Sequence, residues 1–505
     1  EDGRVFFDPT TPAGPPAEDP APAHTAVTAS GEAAQELVRE SLRMRSFSDT
    51  GEGIPETAEW FRAMLGRVCV DAALVPTTGH PVVLGTTAAA QPDAPTVVVY
   101  GLYDVTPTIS REWTVDPLAA HIVDATELGL LPHLGAVVVG RGANNHKGPV
   151  IAAISAVEAI LSTGARPPVN LVWVIEGEEE IGSPSLPGFI EAHRDLLARA
   201  AGVWLPTFQQ NSAGVMSVRR SYKGTVFTHL TCRGGDWGGP RDGRHVWAGN
   251  SAWLDAPMMQ LVRALGTLFD DQQHATIDGL ESLEAQTRTA LADDVLRMAR
   301  DFHANPQWQV NMLGNLNVAQ PLAGKAIGDH VEYYMTGVTV NVQGIVGGYQ
   351  GPTFYTMMPG EASARLDFRF PPGLTPNEFC AALRAHLDRR GFTHVVLENA
   401  RGYPGSPPLP LEDDTLLTAA VAAADQQDVP TAIWPLANNC CPGALFTALG
   451  RAMPFSVAGL GHGDRAHAPD EYFTVGSVGR LMHFTVDYLE AIRRACAERP
   501  AAPPR

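Results

Sequence analysis

The sequence predicts an α/β protein with a mostly parallel central sheet and a smaller α+β unit inserted into it. Three observations carry this. Short β-branched or apolar runs (Thr96–Tyr100, Val137–Val139, Val172–Ile175) alternate with helical stretches, as in sheets covered on both faces. Each run opens at its carboxyl end into a polar, glycine-containing loop, where open α/β sheets place their ligands. Farther along, the runs follow the order β-α-β-β-α-β. With 505 residues, 45% hydrophobic and 18% charged, the chain can bury a large core and form two domains or more.

In chain order, residues 1–24 are rich in Pro, Ala and Asp and read as a disordered or extended arm. Apolar spacing predicts helices over Ala26–Met44 and Glu56–Leu65. The strand Thr96–Tyr100 opens into Gly101–Pro107. Val137–Val139 opens into Gly140–Pro149 and then an apolar helix reaching about Leu161. Val172–Ile175 opens into Glu176–Pro184, where four carboxylates (Glu176, Glu178, Glu179, Glu180) crowd one strand end. They repel one another unless a cation, a proton or a substrate cation relieves them. A solvated acidic turn is the plain alternative, and the apolar flank argues against it. The inserted unit is read from strands Thr225–Arg233, Val338–Ile345, Ala362–Phe370 and His394–Glu398 and helices Ala256–Phe269 and Pro376–Leu387. A long insertion covers Asp270–Gly337. The chain rejoins the first domain near Arg401, with a helix over Leu416–Ala424 and a turn at Pro435–Pro442.

A net charge of −19 opposes encounter with nucleic acid or anionic membrane and suits a small-molecule partner. No apolar run approaches the roughly 18 residues of a membrane helix. The N-terminus lacks a basic-then-apolar pattern, so a soluble, cytoplasmic protein is expected. The six cysteines show neither paired spacing nor a CxxC, which fits a reducing compartment without structural zinc. Adjacent Cys440 and Cys441 have two readings: small apolar filler, or a thiolate nucleophile needing a partner such as His462 or His467.

The ordered set Gly101–Pro107, Trp113 with Asp116 and Pro117, Gly140–Pro149, Glu176–Ser183, Gly344–Gly351, Pro359–Arg369 and Ala466–Glu471 resembles the M20 metallopeptidases and amidohydrolases, in particular their carnosinase-like dipeptidase branch. The resemblance implies a zinc-peptidase-like catalytic domain over 25–218 and 403–499, with an inserted ferredoxin-like lid over 219–402 that also carries a homodimer interface. It further implies two zinc ions bridged by an Asp, a metal-activated water and a Glu that shuttles its proton. Carried over, the general base falls on Glu179, ligands on Glu180 and His467, and the Asp that orients a ligand His on Asp104. Three ligand positions depart: Leu102 replaces a His, Asn145 the bridging Asp and Pro206 another Asp. Leu and Pro side chains offer no lone pair, and neutral Asn is a poor bridge between dications. A lid His falls on Gly238, with His245 as a substitute. Asn439, Cys440 and Cys441 occupy a turn that lies at the substrate, and His146 could join Glu180 and His467 around one residual zinc. Lys147 and Arg369 match scaffold positions, and the resemblance makes Asn145–His146 a cis peptide.

These departures lead to the expectation of a metal-independent, biosynthetic enzyme with no cofactor. It would act on an amino-acid-derived or peptide-like small molecule by condensation, cyclisation, acyl transfer or isomerisation, with Glu179 as acid/base. The alternatives are hydrolysis of a dipeptide or N-acyl amino acid with a residual metal, and a catalytically silent binding homologue. Without paired dications, Glu179 and Glu180 are expected to share a proton or face a cation, with His467 as the protein partner.

Overall fold

In the computed structural model, which describes residues 19–91, 93–449 and 453–498, a six-stranded sheet runs in the order Ala73–Val75, Val82–Thr87, Asn170–Glu176, Thr96–Leu102, Ala200–Pro206, Phe455–Ala458. The last four strands are mutually parallel and the first two form an antiparallel edge. Period-two alternation assigns the strand side chains to two cores. Val97, Val99, Leu171, Trp173 and Trp204 face one core; Val98, Tyr100, Val172, Val174 and Leu205 face the other. The first core is closed by helices Ala21–Leu42, Lys147–Ser162 and Ser477–Ala497, which pack on one another. Lys147–Ser162 is buried along almost its whole length, which explains why its sequence is apolar all round. Lys147 begins it with a buried Nζ bonded to the carbonyls of Ser41 and Met44 at 3.2 and 2.7 Å.

Two expectations are corrected. The segment Ala136–Val139 is a strand, but it belongs to a separate antiparallel sheet with His121–Asp124, Tyr472–Thr474 and Gly463–Asp464. Four apolar residues between glycines carry no signal of which sheet they join. The expected arm is also shorter than 1–24, because the first helix begins at Ala21, with Pro22 in a first turn that has no use for its missing N–H. Residues 1–18, and position 499 at the other end, lie outside the described residues.

The inserted unit is built on a five-stranded sheet whose main path is antiparallel, in the order Thr339–Gly347, Glu361–Phe370, Tyr222–Arg233, Val395–Tyr403, with Ala437–Cys440 pairing in parallel with Tyr222–Arg233. Helices Pro257–Leu265 and Pro376–Arg389 pack against it through Leu261, Ala264, Phe379 and Leu383, giving the ferredoxin-like arrangement. Thr375 and Glu378 form a capping box that starts the second helix. The insertion 270–337 folds into helices with a small core of Val295, Met298, Phe302, Val331 and Met335 packed against Trp434. Among the described residues no helix is long and apolar enough to cross a membrane.

The closest strand-to-helix approach beside the site is at Gly101, where an added Cβ would lie 2.6 Å from Val150 Cγ2. Gly101→Ala should therefore cost about 1–3 kcal/mol through overpacking, read as a lower urea midpoint. Adding Val150→Ala should recover part of that loss; an unchanged midpoint in the single variant would refute the close approach.

Candidate active site

Parallel pairing sets Leu102 beside Glu176, so the loops after both strands open at one end of the sheet. The four carboxylates then divide. Glu176 is buried and accepts hydrogen bonds from Tyr100 Oη at 2.5 Å and Ser183 Oγ at 2.9 Å. Glu178, also buried, accepts from the backbone N–H of His80 and Ser185 at 3.0 and 3.1 Å. These two hold the turn together. Glu179 and Glu180 point elsewhere, on a short 3-10 turn whose backbone N–H groups donate to fully buried Asp104 at 3.3 and 3.0 Å. Asp104 thus fixes the turn that carries Glu179 and Glu180.

The second wall comes from the loop Gly140–His146 and the segment Ala466–Glu471. Strand Tyr472–Thr474 pairs with Ala136–Val139 and brings the two together. Buried Glu471 joins them: it accepts from the N–H groups of Gly142, Asn144 and Asn145 at 3.2, 2.9 and 2.8 Å and pairs with Arg141 at 2.8 Å. In this wall the Asn145–His146 peptide is cis, as the resemblance implied. Asn145 Nδ2 donates to Glu180 Oε1 at 2.6 Å, and His467 Nδ1 lies 3.2 Å from Glu180 Oε2. On the lid side, Tyr403 Oη donates to Glu179 Oε1 at 3.2 Å.

The geometry thus gathers Asp104, Asn145, Glu179, Glu180 and His467. The other sequence candidates are placed differently. Leu102 and Pro206 are buried strand ends without donor atoms. His146 bonds Thr207 Oγ1 at 3.0 Å, its Nδ1 is buried without a partner, and burial drives its pKa down to about 3. His245 is exposed on the lid, away from these bonds. Asn439 Nδ2 lies 3.9 Å from Cys441 Sγ, and Cys440 Sγ points to the Gly224 carbonyl at 3.4 Å. Burial pushes Cys440 up to about 12 and Cys441 well above its ordinary value, so both remain thiols. His462 is occupied by the Gln210 carbonyl and Tyr472 Oη and His467 by Glu180, so both histidines of the thiolate reading are otherwise engaged. Tyr403, Arg141 and Glu471 were missed as site residues. Glu471 ends a motif already singled out, but its pairing across 330 positions has no local signal.

Electrostatics follow from burial. Desolvation, then the charges of Glu180 and Glu176, raises Glu179 to about 8. Burial raises Glu176 to about 7 and Asp104 well above its ordinary value. Glu180 is the main cause that lifts His467 to about 9. The His467 side chain is 53% exposed, so water screens part of that effect.

The residues do not fit the paired metal ions of the resemblance. Among the described residues no three His, Cys, Asp or Glu groups converge to hold a metal ion. Asn145 presents its NH2 to Glu180 where a bridging carboxylate would present lone pairs. A single zinc would find Glu180 and His467, short of the three protein ligands that catalytic zinc sites use.

The carboxylate shifts give a stability prediction. In the unfolded chain Glu176 and Glu179 lose protons near 4.5, whereas the folded chain keeps them to about 7 and about 8. The native state therefore binds more protons over that window, and unfolding free energy should fall as pH rises from about 5 to about 8. Urea titrations should show this slope, flattened in Glu176→Gln and Glu179→Gln; a slope of the opposite sign would contradict it.

The model of the family described as peptidase family M20/M25/M40 matches residues 98–491. Among curated relatives, the mouse Beta-Ala-His dipeptidase is 25% identical over 335 residues, 64% of this chain and 62% of that protein. The Cys-Gly metallodipeptidase DUG1 of Saccharomyces cerevisiae is 23% identical over 62% of this chain and 61% of its own. The chain thus spans about three fifths of the length of these relatives. Human carnosine dipeptidase 1 superposes with a TM-score of 0.75 at 18% identity, over 94% of this chain and all of that one. The M20 metallo-carboxypeptidase Sso-CP2 of Sulfolobus solfataricus gives 0.73 at 24% identity, over 91% of this chain and 99% of that one. With the family matched over most of its length and the fold shared from end to end, this chain belongs to the M20 peptidase family.

Proposed function

We propose that the chain hydrolyses an amide bond in a dipeptide-sized, amino-acid-like substrate, in a crevice that departs from the two-zinc arrangement. The metal-independent biosynthetic reading drawn from the sequence is corrected by the relatives, which are named for dipeptide hydrolysis. The observation that carries the proposal is the setting of Glu179: its backbone is fixed by Asp104, one carboxylate oxygen accepts from Tyr403, and its pKa is raised to about 8.

A carboxylate so placed can both take and give a proton near neutral pH. Ionised Glu179 removes a proton from water as the oxygen attacks the substrate carbonyl. The same proton then passes to the leaving amine as the C–N bond breaks, which returns Glu179 to its starting form. Tyr403 holds the carboxyl oxygen that is not exchanging the proton. Glu180 is engaged by Asn145 and His467, and His467 brings positive charge to the side of the crevice where the carbonyl oxygen becomes negative.

Release of free amino acids from β-alanyl-histidine and cysteinyl-glycine tests this reading. The rate should rise as pH increases through about 8, because Glu179 must lose its proton before it acts as a base. Glu179→Gln should lower kcat by about 10²-fold or more while the fold is kept. Mass spectrometry of the purified protein should find fewer than two zinc ions per chain. Unchanged kcat in the variant would overturn the role of Glu179, and two bound, required zinc ions would overturn the departure from the family arrangement.

A further inference from the structure

A cavity of about 850 Å³ lies between the insertion helices and the short parallel strands Met216–Arg219 and Thr431–Trp434, outside the crevice just described. Its volume falls within the roughly 300–1,000 Å³ of small-molecule sites. One wall is aromatic. Phe302, Trp308, Tyr334 and Trp434 stand edge to face, with centroids 5.6 Å apart for Phe302–Trp308, 5.9 Å for Phe302–Trp434 and 6.1 Å for Tyr334–Trp434. The cavity is also lined by Arg219, the strand-register partner of Trp434, and by Arg220, both half-buried. Neither forms an ion pair among the described residues: Arg219 donates to the Gln209 side chain and Arg220 to the Leu409 carbonyl at 3.2 Å. Arg220 Nε is buried without any partner.

The acids around this cavity form no ion pair with either arginine: Asp294 is paired with Arg297 at 2.7 Å, Asp301 is exposed at the rim, and Asp464 accepts from Asn315 Nδ2 at 3.2 Å and from the Arg465 N–H at 2.7 Å. Two recessed guanidiniums without carboxylates are costly to desolvate and are suited to a planar anion gripped through parallel N–H bonds. The ring wall adds a slot in which an aromatic group buries its faces and edges. We propose that this cavity is a second ligand site, which binds an aromatic ring bearing a carboxylate, the carboxylate on Arg219 and Arg220 and the ring among Trp308, Tyr334 and Trp434.

The test reads binding alone and so does not depend on any hydrolytic activity. Calorimetric titration of the full chain should show indole-3-propionate binding at least about tenfold more tightly than the uncharged indole-3-propanol, as a charged hydrogen-bonded contact requires. Arg219→Gln and Arg220→Gln should each remove most of that difference and leave binding of the alcohol unchanged. Trp308→Phe should weaken both probes, and circular dichroism confirms that each variant is folded. Equal affinity for acid and alcohol, or a difference that survives both arginine variants, would overturn the proposal.

Discussion

Everything in the crevice depends on the carboxylate of Glu471. It lies fully buried and answers Arg141 and the loop N–H groups of Gly142, Asn144 and Asn145, so one side chain closes the loop that carries Asn145 and ties it to the segment that carries His467. Removing one partner of such a pair leaves a buried charge unanswered, at a cost of about 3–5 kcal/mol. The fold supplies the other constraint. Parallel pairing puts the ends of Thr96–Leu102 and Asn170–Glu176 side by side, and Asp104 on one of them fixes the backbone of Glu179 and Glu180 on the other.

Within that frame the chemistry turns on charge balance. Here the crevice carboxylates are answered from within the chain. Glu180 is shared between the Asn145 amide and the His467 imidazole, and Glu179 keeps a proton in its buried setting. The scaffold is that of the M20 family. A proton held near neutral pH suits a group that must both accept and donate one.

Most of this arrangement was legible in the sequence wherever it is local. The strand-to-loop transitions, the β-α-β-β-α-β order and the carboxylate cluster are short-range patterns, and the structure reproduces them. What eluded sequence reasoning is long-range. Val137–Val139 reads as a strand, but one of its two partners, Tyr472–Thr474, lies more than 300 positions away. The division of the cluster into structural Glu176 and Glu178 and crevice-facing Glu179 and Glu180 depends on which N–H groups and hydroxyls lie nearby. Tyr403 ends a lid strand and carries no motif that would announce its bond to Glu179. The adjacent cysteines looked chemically suggestive, and burial, which outweighs the nearby Arg369 and Lys223 charges at Cys440, raises both thiols far above neutral pH.

The central claim is that the crevice carboxylates are balanced by a proton and by His467. Nitrogen-15 NMR titration of the His467 imidazole tests it most directly. The account predicts an apparent pKa near 9 in the intact protein, returning toward the ordinary 6.5 in Glu180→Gln. A His467 that titrates near 6.5 in the intact protein, or whose pKa stays unchanged when Glu180 is neutralised, would contradict it.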